Sequence, residues 1–176
     1  MGTWYRVIAE IFGYLSVALL LLTYVYRSRK KVLVTKMTSD MLAAVHYLML
    51  GETTGMVQCI VNSFRSGIFY HKGIKKWASH NFWVFAFVAM NIGFGLLTWQ
   101  GWYSLLPGCG SVLAVLGFWC ADTNRVRLVT LPGVLMWLLY GIMIGSLPTI
   151  LANVLSVCSI AIGFWNNARS CKKAET

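Results

Sequence analysis

The chain has 176 residues, of which 58% are hydrophobic and only 11% charged. A soluble domain usually carries about a quarter charged residues, so the composition excludes an ordinary soluble domain and points to an integral membrane protein. There is room for roughly seven helices of about 20 residues with short connectors, a single transmembrane domain over 1–176. The formal charge of +10 raises nucleic acid as a partner, and the placement of those charges, taken up below, argues against it.

Helix 1 is the apolar run from Val7 to Tyr26. A cleavable signal peptide is the competing reading, but no A-x-A-like site follows Leu22, and Arg27, Arg29, Lys30 and Lys31 form a stop on the inner side. Helix 1 is therefore expected to be retained, with the N-terminus outside. Glu10 lies within it, either as an interfacial carboxylate reaching water or as a polar group on a solute pathway.

Thr38, Ser39 and Asp40 look like a helix start. A helix from there to Gly51 would reach only about 18 Å, short of a hydrocarbon core of about 30 Å. Helix 2 either begins earlier, near Val32, or is short and sheltered. The first reading of Asp40 puts it at a helix end. His46 sits mid-helix, as a packing residue or as one facing the bundle interior.

Helix 3 runs through Gly51 to Lys72 and carries the most informative pattern. Its polar residues Thr54, Gln58, Asn62 and Arg65 are spaced four, four and three apart. At 100° per residue they fall in one narrow sector. In lipid such a sector must face other helices or a watery cavity. Arg65 can snorkel to the inner interface or contact a solute or phosphate.

The short basic loop His71 to His80 leads to helix 4, Asn81 to Trp99, with Asn91 midway. Trp99, Trp102 and Tyr103 read as an interfacial belt outside. Helix 5 runs from about Leu105 to Ala121, with Pro107 in its first turn. Asp122 to Arg127 forms a connector. Helix 6 follows to about Gly145, with Pro132 expected one turn in. Trp137 and Tyr140 on helix 6 either pack or stack on a flat solute. Helix 7 ends near Asn167, before a basic tail.

The charges now fall into place. With the N-terminus outside, the inner connectors hold Arg27, Arg29, Lys30, Lys31, Lys36, Lys72, Lys75, Lys76, Arg125 and Arg127, and the tail adds Arg169, Lys172 and Lys173. Of all 15 Lys and Arg, only Arg6 and Arg65 stand apart. Seven spans thus gather every basic cluster on one side, the C-terminal side, as positive-inside predicts. The excess charge needs no nucleic acid, which would require it on a folded surface among stacking aromatics.

The chain also repeats. Gly13–Val17 aligns with Gly108–Val112 at an offset of 95, and Leu48–Gly51 with Ile142–Gly145 at 94. The expected plan is three-plus-one-plus-three: repeat one over 5–72, a linker helix over 80–100, repeat two over 104–168. Because one helix intervenes, the two triple-helix bundles are parallel, related by an axis along the membrane normal. Asn62 then pairs with Ser156, and Cys59 with Asn153. Helix 7 has its own polar sector, Thr149, Asn153, Ser156 and Gly163. Ser156 and Gly163 can serve close helix packing. The amides of Gln58, Asn62 and Asn153 need partners. They either hold a polar solute or bond to one another and lock the bundle.

The run Ala43 to Lys72, with V-H-Y-L-M-L-G and N-S-F-R, and the later I-G-F-W at Ile162 to Trp165, resembles the YgjV-type family of bacterial inner-membrane proteins. That resemblance implies a multi-pass protein of the bacterial inner (cytoplasmic) membrane. The family is grouped with SWEET, PQ-loop and nicotinamide-riboside-transporter-like proteins, which share the three-plus-one-plus-three plan. In SWEET-type carriers, asparagines of helices 3 and 7 contact solute, which implies that role for Asn62 and Asn153. The chain lacks the Pro-Gln dipeptide and the helix-1 proline of that group.

Other chemistry is sparse. Cys59, Cys109, Cys120, Cys158 and Cys171 form no C-x-x-C and no metal-ligand spacing. No catalytic set stands out, so neither an enzyme nor a cofactor is expected. The expected substrate-binding residues are Asn62, Asn153, Gln58, Arg65, Ser156, His46 and Glu10. The expected partners are the lipid bilayer and a small polar solute, with a homo-oligomer left open. A non-transporting scaffold, sensor or assembly partner is the alternative.

Overall fold

Two left-handed glycines set the turns between long helices. Gly51 has φ 81° and Gly145 has φ 65°, a conformation that costs residues with a Cβ. At each, the same pair of backbone bonds closes the preceding helix. Gly51 N–H donates to Leu48 O and Glu52 N–H to Tyr47 O, while Gly145 N–H donates to Ile142 O and Ser146 N–H to Gly141 O.

A computed structural model describes residues 3–26, 28–72, 74–120 and 123–174. Arg27 and Asp122 lie outside the described residues, as do the side chains of Arg29, Arg169, Cys171, Lys172 and Lys173. The described residues form seven α-helices and no strand: α1 Thr3–Val25, α2 Arg29–Leu50, α3 Thr53–His71, α4 Phe82–Leu97, α5 Leu105–Trp119, α6 Thr123–Met143 and α7 Leu147–Ala174. Short 3-10 turns at Lys76–Ser79 and Trp102–Ser104 lead into α4 and α5.

Three boundaries differ from expectation. First, α2 starts at Arg29, and its 22 residues reach about 33 Å. Thr38 and Ser39 are interior: the Thr38 hydroxyl bonds back to Val34 O, and Ser39 turns toward α1. Asp40 is therefore buried mid-helix, paired with Lys36 one turn earlier, rather than lying at an end. Second, α6 begins at Thr123, so Arg125 and Arg127 belong to the helix rather than a connector. Pro132 stands well inside it, not one turn in. Its ring is exposed, away from the neighbouring helices. Third, α7 continues past Asn167 to Ala174.

The helices pack as a ring. α1 lies on α2 and α2 on α3; α5 lies on α6 and α6 on α7; α3 meets α5, α1 meets α7, and α4 braces α3 and α5. The α1–α2 crossing is stitched by two serines: Ser16 Oγ–H donates to Ser39 O at 2.9 Å and Ser39 Oγ–H to Ser16 O at 2.8 Å. At the α5–α6 crossing two glycines meet instead. A Cβ on Gly133 would stand 2.8 Å from Gly110 O.

Near the Gly51 and Gly145 turns, Ala44, Tyr47, Cys59 and Tyr140 form one core. Toward the opposite, basic end, Val61, Phe69, Phe87 and Val115 form another, flanked by Trp83 and Trp119. The outer surface is apolar: Leu15, Phe85, Leu97, Leu128, Leu139 and Ile162 are all exposed. Many uncharged polar side chains along the helices, among them Ser16, His46, Thr54, Gln58, Asn91 and Ser111, are by contrast buried. This inversion suits hydrocarbon surroundings.

Four helical stretches are long and apolar enough to cross a membrane: Trp4–Thr23, Trp102–Trp119, Arg125–Met143 and Leu147–Trp165. Phe82–Leu97 is apolar but shorter. α2 and α3 carry too many polar groups for that set, and α3 is the most sheltered helix. Only Thr53 and Phe64 along it are exposed.

Candidate functional site: two buried polar clusters

The polar sector of α3 turns fully inward. Thr54 and Gln58 are 0% exposed, Arg65 3% and Asn62 7%. The periodicity explains why: the apolar residues take the remaining surface, and Phe64 alone of the larger ones reaches outward. Thr54 Oγ1 donates to Thr98 O near the end of α4. Gln58 Nε2 donates to Asn91 O at 2.8 Å, and Asn91 Nδ2 donates to Phe87 O at 2.6 Å. Asn62 Nδ2 donates to Ser111 Oγ of α5 at 3.1 Å. The Arg65 guanidinium lies 5.1 Å from the centre of the Phe118 ring. Several atoms here are buried without a partner: Gln58 Oε1, Asn62 Oδ1, Asn91 Oδ1, Arg65 Nη1 and Asp40 Oδ2.

A second cluster lies between α1, α2 and α7. It borders a partly open cavity of about 50 Å³ lined by Ser16, His46, Tyr47, Thr149 and Asn153, with Gly13, Ala43 and Pro148. His46 Nδ1 is bonded to Ala9 O at 2.7 Å and Nε2 to Ser146 Oγ at 2.8 Å. Tyr47 OH bonds Thr149 Oγ1 at 2.8 Å, and Thr149 Oγ1 bonds Ser146 Oγ at 2.7 Å. Asn153 Nδ2 donates to Thr149 O at 2.8 Å. Such a cavity has room for one or a few waters in its present form. Next to Ala9, Glu10 is half-buried, with Oε2 unpartnered.

The expected site residues therefore divide. His46 and Asn153 share the cavity, with Glu10 beside His46. Gln58, Asn62 and Arg65 belong to the α3 side, against α4 and α5. The two stripes do not line one common pocket. Ser156 turns its hydroxyl to Ala152 O at 2.8 Å, a bond along its own helix. Trp137 and Tyr140 pack rather than stand open: Trp137 lies 6.0 Å from the Tyr47 ring, and Tyr140 stacks 6.3 Å from Tyr103.

Several participants are missing from the expected set. Ser16, Tyr47, Thr149, Ser111 and Asn91 all contribute polar atoms. Thr149 lies on the α7 stripe and Asn91 is an amide midway along an apolar helix, so both carried a signal. Ser16 and Ser111 stand at matching places in the two aligned segments. Tyr47 carried none, since a tyrosine in an apolar run reads as packing.

One more pair of bonds joins the halves. His46 of α2 reaches Ser146, which precedes α7, and Tyr140 OH of α6 donates to Glu52 Oε2, which precedes α3, at 3.1 Å. Among the described residues, no group of three His, Cys, Asp or Glu could hold a metal ion.

An all-helical protein with an apolar exterior and buried amide, imidazole and guanidinium groups defines a class: integral membrane proteins with a polar interior. Within it, the chain belongs to the Imp-YgjV family of bacterial inner membrane proteins, whose model matches residues 7–170. No curated protein and no solved structure gives a significant match.

Proposed function

We propose that this protein is a multi-pass carrier or facilitator of a small polar solute, with seven spans, the N-terminus outside and the C-terminus inside. The observation that carries the reading is the small cavity where the two halves meet, which is mostly apolar in surface but is walled by several polar side chains. Its lining residues carry three hydroxyls (Ser16, Tyr47 and Thr149), an imidazole and an amide within a bundle surrounded by lipid. An imidazole in that position is the kind of group that marks solute and ion pathways, although Ser, Thr and Asn can also fasten helices. His46 and Asn153 would contact the solute there, with Glu10 beside His46 and Ser156 further along α7; Gln58, Asn62 and Arg65 do not line this cavity and would meet the solute only on a separate stretch of its route.

The three-plus-one-plus-three repeat is part of the proposal, and an offset of 94 among the contacts supports it, one residue from the offset of 95 that aligns Gly13–Val17 with Gly108–Val112. Adding 94 takes the Ser16–Ser39 crossing to Gly110–Gly133 and the Gly51 turn to Gly145. It also takes His46–Ser146 to the reverse pair Tyr140–Glu52, since 46 becomes 140 and 52 becomes 146. The helix contacts obey the same operation: α1 on α2 matches α5 on α6, and α3 on α5 matches α7 on α1. This is a plan shared with SWEET-like carriers, and a shared plan does not by itself carry function.

The cavity is smaller than a sugar, so transport requires the halves to part. The cross-half bonds of His46 and Tyr140 stand where such an opening would begin. The partners in this reading are the bilayer and the solute, without nucleic acid, cofactor or enzymatic step; a homo-oligomer is compatible with it.

The competing reading is a scaffold or sensor whose polar stripes only fasten helices, and the Asn62–Ser111 and Gln58–Asn91 bonds favour it. Asn153→Leu separates the two. Purified protein is screened by thermal shift against sugars, nucleosides and vitamins, and uptake is measured in cells. The carrier reading expects a solute-induced shift that Asn153→Leu abolishes while the variant still accumulates. A panel without effect, together with impaired folding or partner assembly of Asn153→Leu, would support the scaffold.

A further inference from the structure

The α3–α4–α5 junction gathers three side-chain amides within about one helical turn. Gln58 and Asn62 are a turn apart on α3, and Asn91 of α4 receives Gln58's N–H on its own carbonyl. Each amide spends an N–H on a carbonyl or hydroxyl: Gln58 on Asn91 O, Asn91 on Phe87 O, Asn62 on Ser111 Oγ. For Gln58 and Asn91 the orientation is forced, because only the amide nitrogen can donate to a carbonyl. Each amide oxygen is left buried and unpartnered.

Two acceptors whose orientation is forced, Gln58 Oε1 and Asn91 Oδ1, and Asn62 Oδ1 as its amide is placed, form an unusual set at this junction, since buried polar groups are nearly always bonded. Interlocking helices would call for the oxygens to be satisfied as well as the nitrogens. These oxygens receive no donor: even Arg65 Nη1, which is itself buried and unpartnered nearby, makes no hydrogen bond to them. Hard cations take oxygen ligands of this kind, from amide carbonyls and hydroxyls. Ser111 Oγ, 0% exposed and already bonded to Asn62, adds a fourth oxygen.

We infer that Gln58, Asn62, Asn91 and Ser111 form a binding site for a small monovalent cation. The absence of a carboxylate from this set decides the charge. Protein sites for divalent ions generally include carboxylates among their oxygen ligands, and a double charge would be further disfavoured by Arg65, three residues beyond Asn62. The guanidinium is drawn aside over Phe118, and the Asp40 carboxylate of α2 acts on it electrostatically. Close backbone approach holds the cluster in place: a Cβ at Gly95 or Gly108 would stand 3.4 or 3.8 Å from Gln58 Nε2. The site does not depend on the solute reading, because a non-transporting protein could hold the same ion.

The test uses the full-length protein in detergent and choline chloride. Sodium, potassium or methylammonium chloride replaces choline at constant chloride concentration, and the unfolding midpoint is read from tryptophan fluorescence. The expected result is a saturable rise of about 2–5 °C at ten times the dissociation constant. Asn91→Leu removes the ion-dependent part, and Gln58→Glu lowers the half-saturating concentration at least tenfold. A response to sodium or potassium identifies an inorganic ion; a response to methylammonium alone identifies the ammonium head of an organic solute. Equal midpoints in all four salts, as ordered water in place of an ion would give, overturn the inference. So does an ion effect that survives Asn91→Leu. Should Asn91→Leu fail to accumulate, an unchanged half-saturation in Gln58→Glu has the same force.

Discussion

At the residue scale, the Tyr140 hydroxyl has two neighbours that matter. It donates to Glu52, and it lies 2.8 Å from where a Cβ on Gly55 would stand. Tyr140→Phe should therefore lower stability by about 1 kcal/mol, the usual net worth of such a bond. Gly55→Ala should lower it too, because the new methyl meets both that hydroxyl and the Tyr47 ring. In the double variant the hydroxyl is gone, so the two losses should sum to less than their separate values. Unfolding midpoints of the four proteins measure the difference, and strict additivity would rule out the contact. None of this was legible in the sequence. The spacing of Thr54, Gln58, Asn62 and Arg65 did reveal that they share a buried face, because period alone fixes a face. Period does not say which neighbour covers it. Gln58 and Asn153 therefore looked like two walls of one site, whereas the packing sends them to opposite sides of the ring.

At the element scale, the two tight crossings set how each half is built. The serines at one crossing bond each other's backbones, and the glycines at the other let α5 and α6 approach until carbonyl meets Cα. Gly133→Leu would drive a side chain into Gly110 O and Leu113 Cβ. The expected loss is at least about 2 kcal/mol, the range for overpacking, read as a lower unfolding midpoint. Gly93, with nothing within 4 Å of a Cβ there, is the control, and Gly93→Ala should be neutral or stabilising. Equal effects at the two positions would remove the crossing from the account. Helix number was readable from hydropathy and charge; helix limits less so. α2 was ambiguous because Thr38-Ser39-Asp40 imitates a cap. Those side chains are instead used in tertiary or intrahelical bonds, which local sequence cannot distinguish from capping. Pro132 misled in the same way, since its lack of an N–H suggests a helix start until the exposed ring is seen.

At the scale of the whole molecule, orientation follows from the placement of charge rather than from packing. A ring of helices with an apolar exterior fits a bilayer either way up. The charges give the expectation, because the connector bearing Lys72, Lys75 and Lys76 would have to cross if the chain were inverted. The opposite end carries Trp99 and Trp102, both exposed, with no Lys or Arg between Lys76 and Arg125. In a background with the native cysteines removed, Trp99→Cys should react with a membrane-impermeant maleimide added to intact spheroplasts. Lys75→Cys should react only after the membrane is opened. Both positions are exposed, so a failure to react reports the membrane rather than burial. Labelling in the reverse order would invert the topology. Reaction at both positions in sealed spheroplasts would mean that α4 does not cross at all; the helix that separates the two triplets, and with it their parallel arrangement, would then be lost.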